Sequence, residues 1–376
     1  MKRVVVRDRT ASDAARRRTS GTRRARKLRV LVAIATVAVV APLPARAQRS
    51  VPAYEQQYLP GSFNWSFRKS YRIADGLFNA FDYGHAILYE LLWTKPGADS
   101  TLLENREFDH VTKQVLVHPP RLPLPEEAIE PQYAKLAPEA KLMFEWAHVL
   151  HRQIYDVWAD ERLKPAQKDA RVAELLRYYK SRPDLAFSSV PKSMDLMEGQ
   201  RYSLVFRKRY PKFNGLIWSY HWLQVGLYDA LISGNDPRER QANVNETVAR
   251  FWRMLDSAPG SMPHMMPMTA AVAPLFTERY PEAAIIFDNL HGMHDVISDI
   301  LASPAVPRSR KRAEILRAGA AYRDSTSYAM TRDEWHKMSI GMGVEMMGGR
   351  ASGGAAPAAP TDSTANPHAG HQMPPK

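Results

Sequence analysis

From residue 67 to about residue 348, apolar residues recur at three- and four-residue intervals in long stretches separated by proline-rich turns. That spacing is helical, and the two-residue Val/Ile/Thr alternation of strands is scarce. The pattern predicts an all-α body over 67–348, preceded by a polar and aromatic extended lead-in over 48–66. Residues 349–376 are Gly/Ala/Pro-rich and predict a disordered tail.

The helical stretches repeat. Residues 138–151 (PEAKLMFEWAHVLH) align without a gap on 281–294 (PEAAIIFDNLHGMH), and the stretch from Phe67 to Glu90 aligns on that from Phe206 to Asp229. All four fit one frame. An apolar position holds Phe78, Phe144, Ile217 and Phe287. Four residues later a first polar slot holds Asp82, His148, His221 and His291. A second, three further on, holds His85, His151, Gln224 and His294. Next come Tyr89, Tyr155, Tyr228 and Ser298, each followed by an acid: Glu90, Asp156, Asp229 and Asp299. Pro138, Pro211 and Pro281 begin three of the copies, at a favoured first helical position. A proline follows each copy, and then a second helical pattern. The reading is four tandem helix–Pro turn–helix units, with a period of roughly 70 residues, in a pseudo-two-fold bundle. The halves run over about 67–205 and 206–348.

Offsets of four, three and four residues keep the aromatic, the two polar slots and the tyrosine on one helical stripe. The stripe is otherwise apolar, so it faces inward and carries His85, His148, His151, His221, His291 and His294 with it. A buried imidazole costs free energy unless it is hydrogen-bonded or ligating. With Asp82, the six histidines form a donor set suited to Fe, Cu, Zn or Mn. Glu145 and Asp288 each precede a first-slot histidine by three and extend the candidate ligands. The competing account is a structural His–Asp or His–Tyr hydrogen bond inherited four times by duplication. The acid slot fits that account, because it lies eight residues past the first slot, ~12 Å along the helix.

The Glu145-x-x-His148 and Asp288-x-x-His291 pair on a duplicated four-helix arrangement resembles the ferritin-like di-metal carboxylate proteins. The resemblance covers four short helices. It implies Glu145, His148, Asp288 and His291 as ligands, with one carboxylate from each remaining helix, Asp82 and Asp229. The sequence departs from that pattern in its Asp288 and in the additional His151 and His294.

Charge narrows the partners. The 376 residues carry a net charge of +13, but residues 1–47 hold 13 Lys and Arg against two acids, or +11. The remaining body is close to neutral, which gives no case for nucleic acid. The basic segment leads into an apolar run, Val30 to Ala41, and then Ala45-Arg46-Ala47, the order of a signal peptide cleaved after Ala47. Thr22-Arg23-Arg24 hints at the twin-arginine route. The expectation is an exported, periplasmic or extracellular protein with no transmembrane span in the mature chain. The absence of Cys excludes disulfides, thiolate metal sites and covalent c-type haem.

Twelve of the 16 Met follow residue 250, densely in 262–268 and 338–347, and the tail adds His368, His371 and Met373. Thioether and imidazole suit weakly held copper. Two functions follow. One is an exported all-α protein binding transition metal through the repeated His and carboxylate residues. The other is a non-catalytic accessory subunit of a membrane complex at its extracytoplasmic face. Its contact arms would be the lead-in aromatics (Tyr54, Tyr58, Phe63, Trp65) and the Pro-rich segment 117–131.

Overall fold

A computed structural model describes residues 54–351. The signal-peptide expectation and the His368, His371 and Met373 tail lie outside the described residues. The described chain is all-α, with fifteen α-helices and no strand beyond one isolated bridge between Lys192 and Ala329. No described helix is long and apolar enough to cross a membrane.

Four helices carry the polar slots: α1 (Arg72–Thr94), α2 (Pro138–Ala159), α3 (Pro211–Ser233) and α4 (Pro281–Ala302). Their slots are buried, and α1 and α2 each pack on both α3 and α4. Proline is the first residue of α2, α3 and α4, where its missing N–H costs no hydrogen bond. Each of the four is followed by a second helix, at Ser100–His110, Pro165–Lys180, Pro237–Asp256 and Lys311–Arg323. Each is preceded by a short one, at Ser66–Ser70, Pro131–Leu136, Val205–Arg209 and Pro274–Arg279. A single residue joins each short helix to its long one. Tyr71, Ala137, Tyr210 and Tyr280 take nearly the same backbone conformation there, φ −127 to −141° and ψ 55 to 64°. The residue before a proline is steered away from the helical region, so the bend is fixed by sequence in three of the four.

The acid slot finds its partners at the short helices. Asp156 on α2 accepts from the backbone N–H groups of Trp65 and Phe67, both at 2.9 Å. Asp299 on α4 accepts from Leu204 and Phe206 at 2.8 and 2.7 Å. Glu90 on α1 accepts from Gln132 and Tyr133, and Asp229 on α3 from Leu275 and Phe276. All four acids therefore satisfy orphan donors at a helix start and complement its dipole. Trp65 and Leu204 hold left-handed φ angles of 66° and 64°, a strained state for bulky residues that these carboxylates help to fix. Two buried lysines close the other ends: Lys168 donates to Trp158 O, and Lys311 to the carbonyls of Ile300, Leu301 and Ser303.

Segments expected to be free are tied to the body. Tyr58 and Phe63 are buried, and Gln153 holds both the N–H and the carbonyl of Leu59. Arg250 donates to the carbonyls of Gly348 and Arg350, and Trp222 donates to that of Gly349. The methionine-dense segments are largely core: Met262, Met266, Met268, Met342 and Met347 are buried and Met265 and Met338 partly so, while Met346 and His264 are exposed.

Candidate metal centre

Because the slots share one face of each long helix, packing the four helices brings all six histidines to one interior region. Every one of them is at most 5% exposed. Ring contacts link them. His85 lies 4.3 Å from His294 and 5.3 Å from His221, centroid to centroid, and His221 lies 5.4 Å from His294. His291 stacks on His221 at 4.0 Å, and His151 and His148 adjoin His291 and His294 at 5.9 and 5.7 Å.

His85, His221 and His294 form a triad, one from each of α1, α3 and α4, that could hold a metal ion. One ring nitrogen from each lies within 4.8 Å of the other two. His221 Nε2 and His294 Nδ1 are 3.2 Å apart. With metal–nitrogen bonds of about 2.0–2.1 Å, two ligands on a tetrahedral ion sit about 3.3 Å apart and their ring centroids on the order of 5 Å. The triad is close to both spacings.

Burial keeps the imidazoles neutral, the form that ligates. Desolvation pushes His85 and His148 down to about 3, and drives His151, His221, His291 and His294 well below the usual range, helped by their crowding. Yet the rings are not satisfied. His85 Nε2, both nitrogens of His148, His151 Nε2, His221 Nδ1 and His291 Nδ1 are buried with no hydrogen-bond partner. Each such group costs about 1–3 kcal/mol, so the cluster is expensive unless something coordinates it.

The partners that do exist orient the rings. His85 Nδ1 faces Phe81 O at 3.4 Å, His151 Nδ1 faces the Tyr228 hydroxyl at 2.8 Å, and His291 Nε2 faces Gln224 Oε1 at 3.1 Å. A carbonyl oxygen accepts only, so His85 and His291 donate through those nitrogens and turn a bare lone pair inward at the other. Tyrosine hydroxyls tie the helices together at the same level. Tyr89 donates to His294 O, Tyr155 to Gln224 O, and Tyr228 to His151 O.

The carboxylates divide. Asp82 comes to the imidazoles, with Oδ1 3.5 Å from His148 Nδ1 and no hydrogen-bond partner, while Oδ2 accepts from Arg152 at 2.7 Å. Burial raises Asp82 to about 6 against the pull of Arg152. Glu145 is taken up instead by Lys141 at 3.0 Å and by the N–H of Glu126 at 3.3 Å. Asp288 accepts from Thr269 N, Thr269 Oγ1 and Trp335 Nε1. Asp229 is held at the short helix before α4. Three carboxylates of the ferritin-like ligand set thus have protein partners elsewhere. Glu145 and Asp288 lie three residues before the first slot, +60° round the helix and on the far side of it from the second slot at −60°, which puts them at the edge of the stripe. Arg152 and the orienting roles of Gln224 and Tyr228 were not evident from the sequence; the slot frame named the last two only as polar and packing positions. No family model, curated protein or solved structure matches the chain.

Proposed function

We propose that this is an exported transition-metal-binding protein whose ion is held by His85, His221 and His294. The observation that carries the reading is the triad itself: three neutral, buried imidazoles from three helices at ligand spacing, in a cluster with orphaned ring nitrogens. Three protein ligands leave a tetrahedral ion one open position, as in catalytic zinc sites. A Lewis-acid or redox ion there would have a position free for a small molecule. His148 adjoins the triad at His294, 5.7 Å between ring centroids, and brings Asp82 near it.

The acid slot is better read as structure, since all four members cap short helices. Their pattern also supports a duplicated half. Within each half the first and second long helices cap each other's short helix, and Tyr89 and Tyr228 make the same contact across halves. Export rests on the basic, apolar and Ala-x-Ala order of residues 1–47.

Elemental analysis of protein purified from its native compartment tests the reading. The expected result is stoichiometric transition metal that His221→Gln removes while the chain stays folded. Metal-free native protein that takes up no Zn, Cu, Fe or Mn on reconstitution would leave the histidines structural.

A further inference from the structure

The ends of α2 and α4 are matched in backbone and unmatched in charge. The alignment of the two helices continues at the same offset into the chain that follows them. Lys168 donates to Trp158 O at 2.6 Å, and its counterpart Lys311 donates to the counterpart carbonyl, Leu301 O, at 3.0 Å. Asp160 accepts from Arg162 N at 3.0 Å, and Ser303, in the same position after α4, accepts from Ala305 N at 3.2 Å. After α2 the other cations have acids beside them: Arg162 pairs with Asp160 at 2.7 Å, and Arg240 pairs with Glu161. After α4, Ser303 and Pro304 stand where those two acids would be. The cations remain. Arg209, Arg308 and Lys311 line an open pocket of about 260 Å³ with Leu92, Tyr210 and Val306, and among the described residues no carboxylate lines it.

The three cations differ in what they can offer. Lys311 gives its three protons to main-chain carbonyls, so it supplies charge rather than a free donor. Arg209 gives Nη1 to Ala302 O at 2.8 Å. Arg308 gives Nη1 to Trp93 O at 2.6 Å and lies 3.4 Å from the centre of the Trp93 ring. The other nitrogens of both guanidinium groups make no hydrogen bond to a described residue. A planar fork fixed through one nitrogen presents the rest to a carboxylate. Burial, with the charges of Arg308 and Arg209, pushes Lys311 down to about 8, and no acid acts in the other direction. A negative charge entering here therefore meets three cations and no competitor. The matched end shows the group that suits such a corner, a carboxylate on an apolar stem. The pocket is slightly below the usual range of about 300–1,000 Å³ for small-molecule sites, so its occupant is small.

We propose that this pocket binds a small monocarboxylate, its carboxylate held by Arg209 and Arg308 and its apolar body against Leu92, Tyr210 and Val306. The site is independent of the histidine triad. The test is a calorimetric titration of the folded chain at neutral pH and low salt with benzoate, acetate and inorganic phosphate. Wild type binds one benzoate, and acetate and phosphate, which lack the apolar body, bind at least about tenfold more weakly. The Arg209→Gln/Arg308→Gln double variant loses about tenfold or more in benzoate affinity, because two charged donors are gone. Ser303→Asp restores the acid of the matched end at a position where Asp160 and Ser303 are equally buried, both 2% exposed. It keeps the helical circular dichroism of wild type and abolishes benzoate binding. No benzoate binding by wild type, or undiminished binding in the double variant or in Ser303→Asp, overturns the site. Phosphate or acetate bound as tightly as benzoate overturns the ligand class.

Discussion

On each long helix the acid slot lies about 12 Å beyond the first polar slot, and the two regions are built to opposite rules. Asp156 and Asp299 each receive two backbone N–H groups within 3 Å, so the fold itself supplies the buried acids with partners. The imidazoles one to two turns away are also buried, and six of their ring nitrogens have no partner. A chain selected only for stability would not keep such a set. The acids hold the molecule together, and the histidines are held in place by it.

Breaking the acid slot has the largest expected effect. Asp156→Ala or Asp299→Ala strands two backbone donors beside a left-handed residue. A buried donor left without an acceptor costs about 1–3 kcal/mol, so two together cost about 3 kcal/mol or more. Urea unfolding should show that loss equally with and without metal. A loss that appears only in the metal-loaded protein would move the acid slot into the metal site.

Next in size is the response to metal. An ion that binds only the folded chain stabilises it by about 2.7 kcal/mol at a hundredfold excess over its dissociation constant. Wild type and Asp299→Ala should both gain this increment in thermal melts, and His221→Gln should not. Equal melting of wild type with ion and with chelator would contradict it.

A smaller effect of opposite sign separates the two regions more sharply. His148 has two orphaned nitrogens, so replacing it by an apolar side chain removes a penalty. Metal-free His148→Leu should be about 1 kcal/mol more stable than metal-free wild type. Denaturant titration in chelator reads this directly, and a variant less stable than wild type would show that the histidine is structurally satisfied.

The difference between the regions also explains what the sequence could disclose. The inward stripe is a property of one helix and its 3.6-residue turn, so the six histidines were legible as a set. The acid slot was legible as a repeat but not as a cap. Its partners are far along the chain, 89 residues away for Asp156 and Phe67, and 93 for Asp299 and Phe206. The short helices they cap begin after Trp65 and Leu204, which carry no capping side chain of their own. Glu145 and Asp288 fit the spacing of a ligand, but a flanking loop offers each an N–H, and spacing alone does not tell which way a side chain at the stripe's edge will turn. Arg152, which pairs with Asp82, follows a second-slot histidine and belongs to no repeat.

The smallest effect is a pH dependence carried by the acid slot. Burial raises Asp156 to about 7 and Asp299 to about 8, from an ordinary 3.8, despite the backbone donors that pull them down. Between 3.8 and those values the folded chain keeps protons that the unfolded chain has released. Stability contributed by these groups therefore falls as pH rises, and the fall ends near the folded pKa. At pH 6.5 an ordinary histidine is half protonated in the unfolded chain, so the imidazoles held neutral in the fold add a slope of opposite sign that fades toward pH 8, and the acid slot is read by difference against a variant. Metal-free wild type should lose about 1 kcal/mol of stability relative to Asp299→Asn between pH 6.5 and 8, less than the full 1.36 kcal/mol per unit because Asp299 shares its protonation with Asp295. Asp299→Asn keeps one acceptor oxygen, cannot ionise, and should be less stable than wild type at pH 6.5, with the gap narrowing as pH rises. Should the gap stay constant over that range, Asp299 does not titrate there and is ionised in the folded chain at neutral pH.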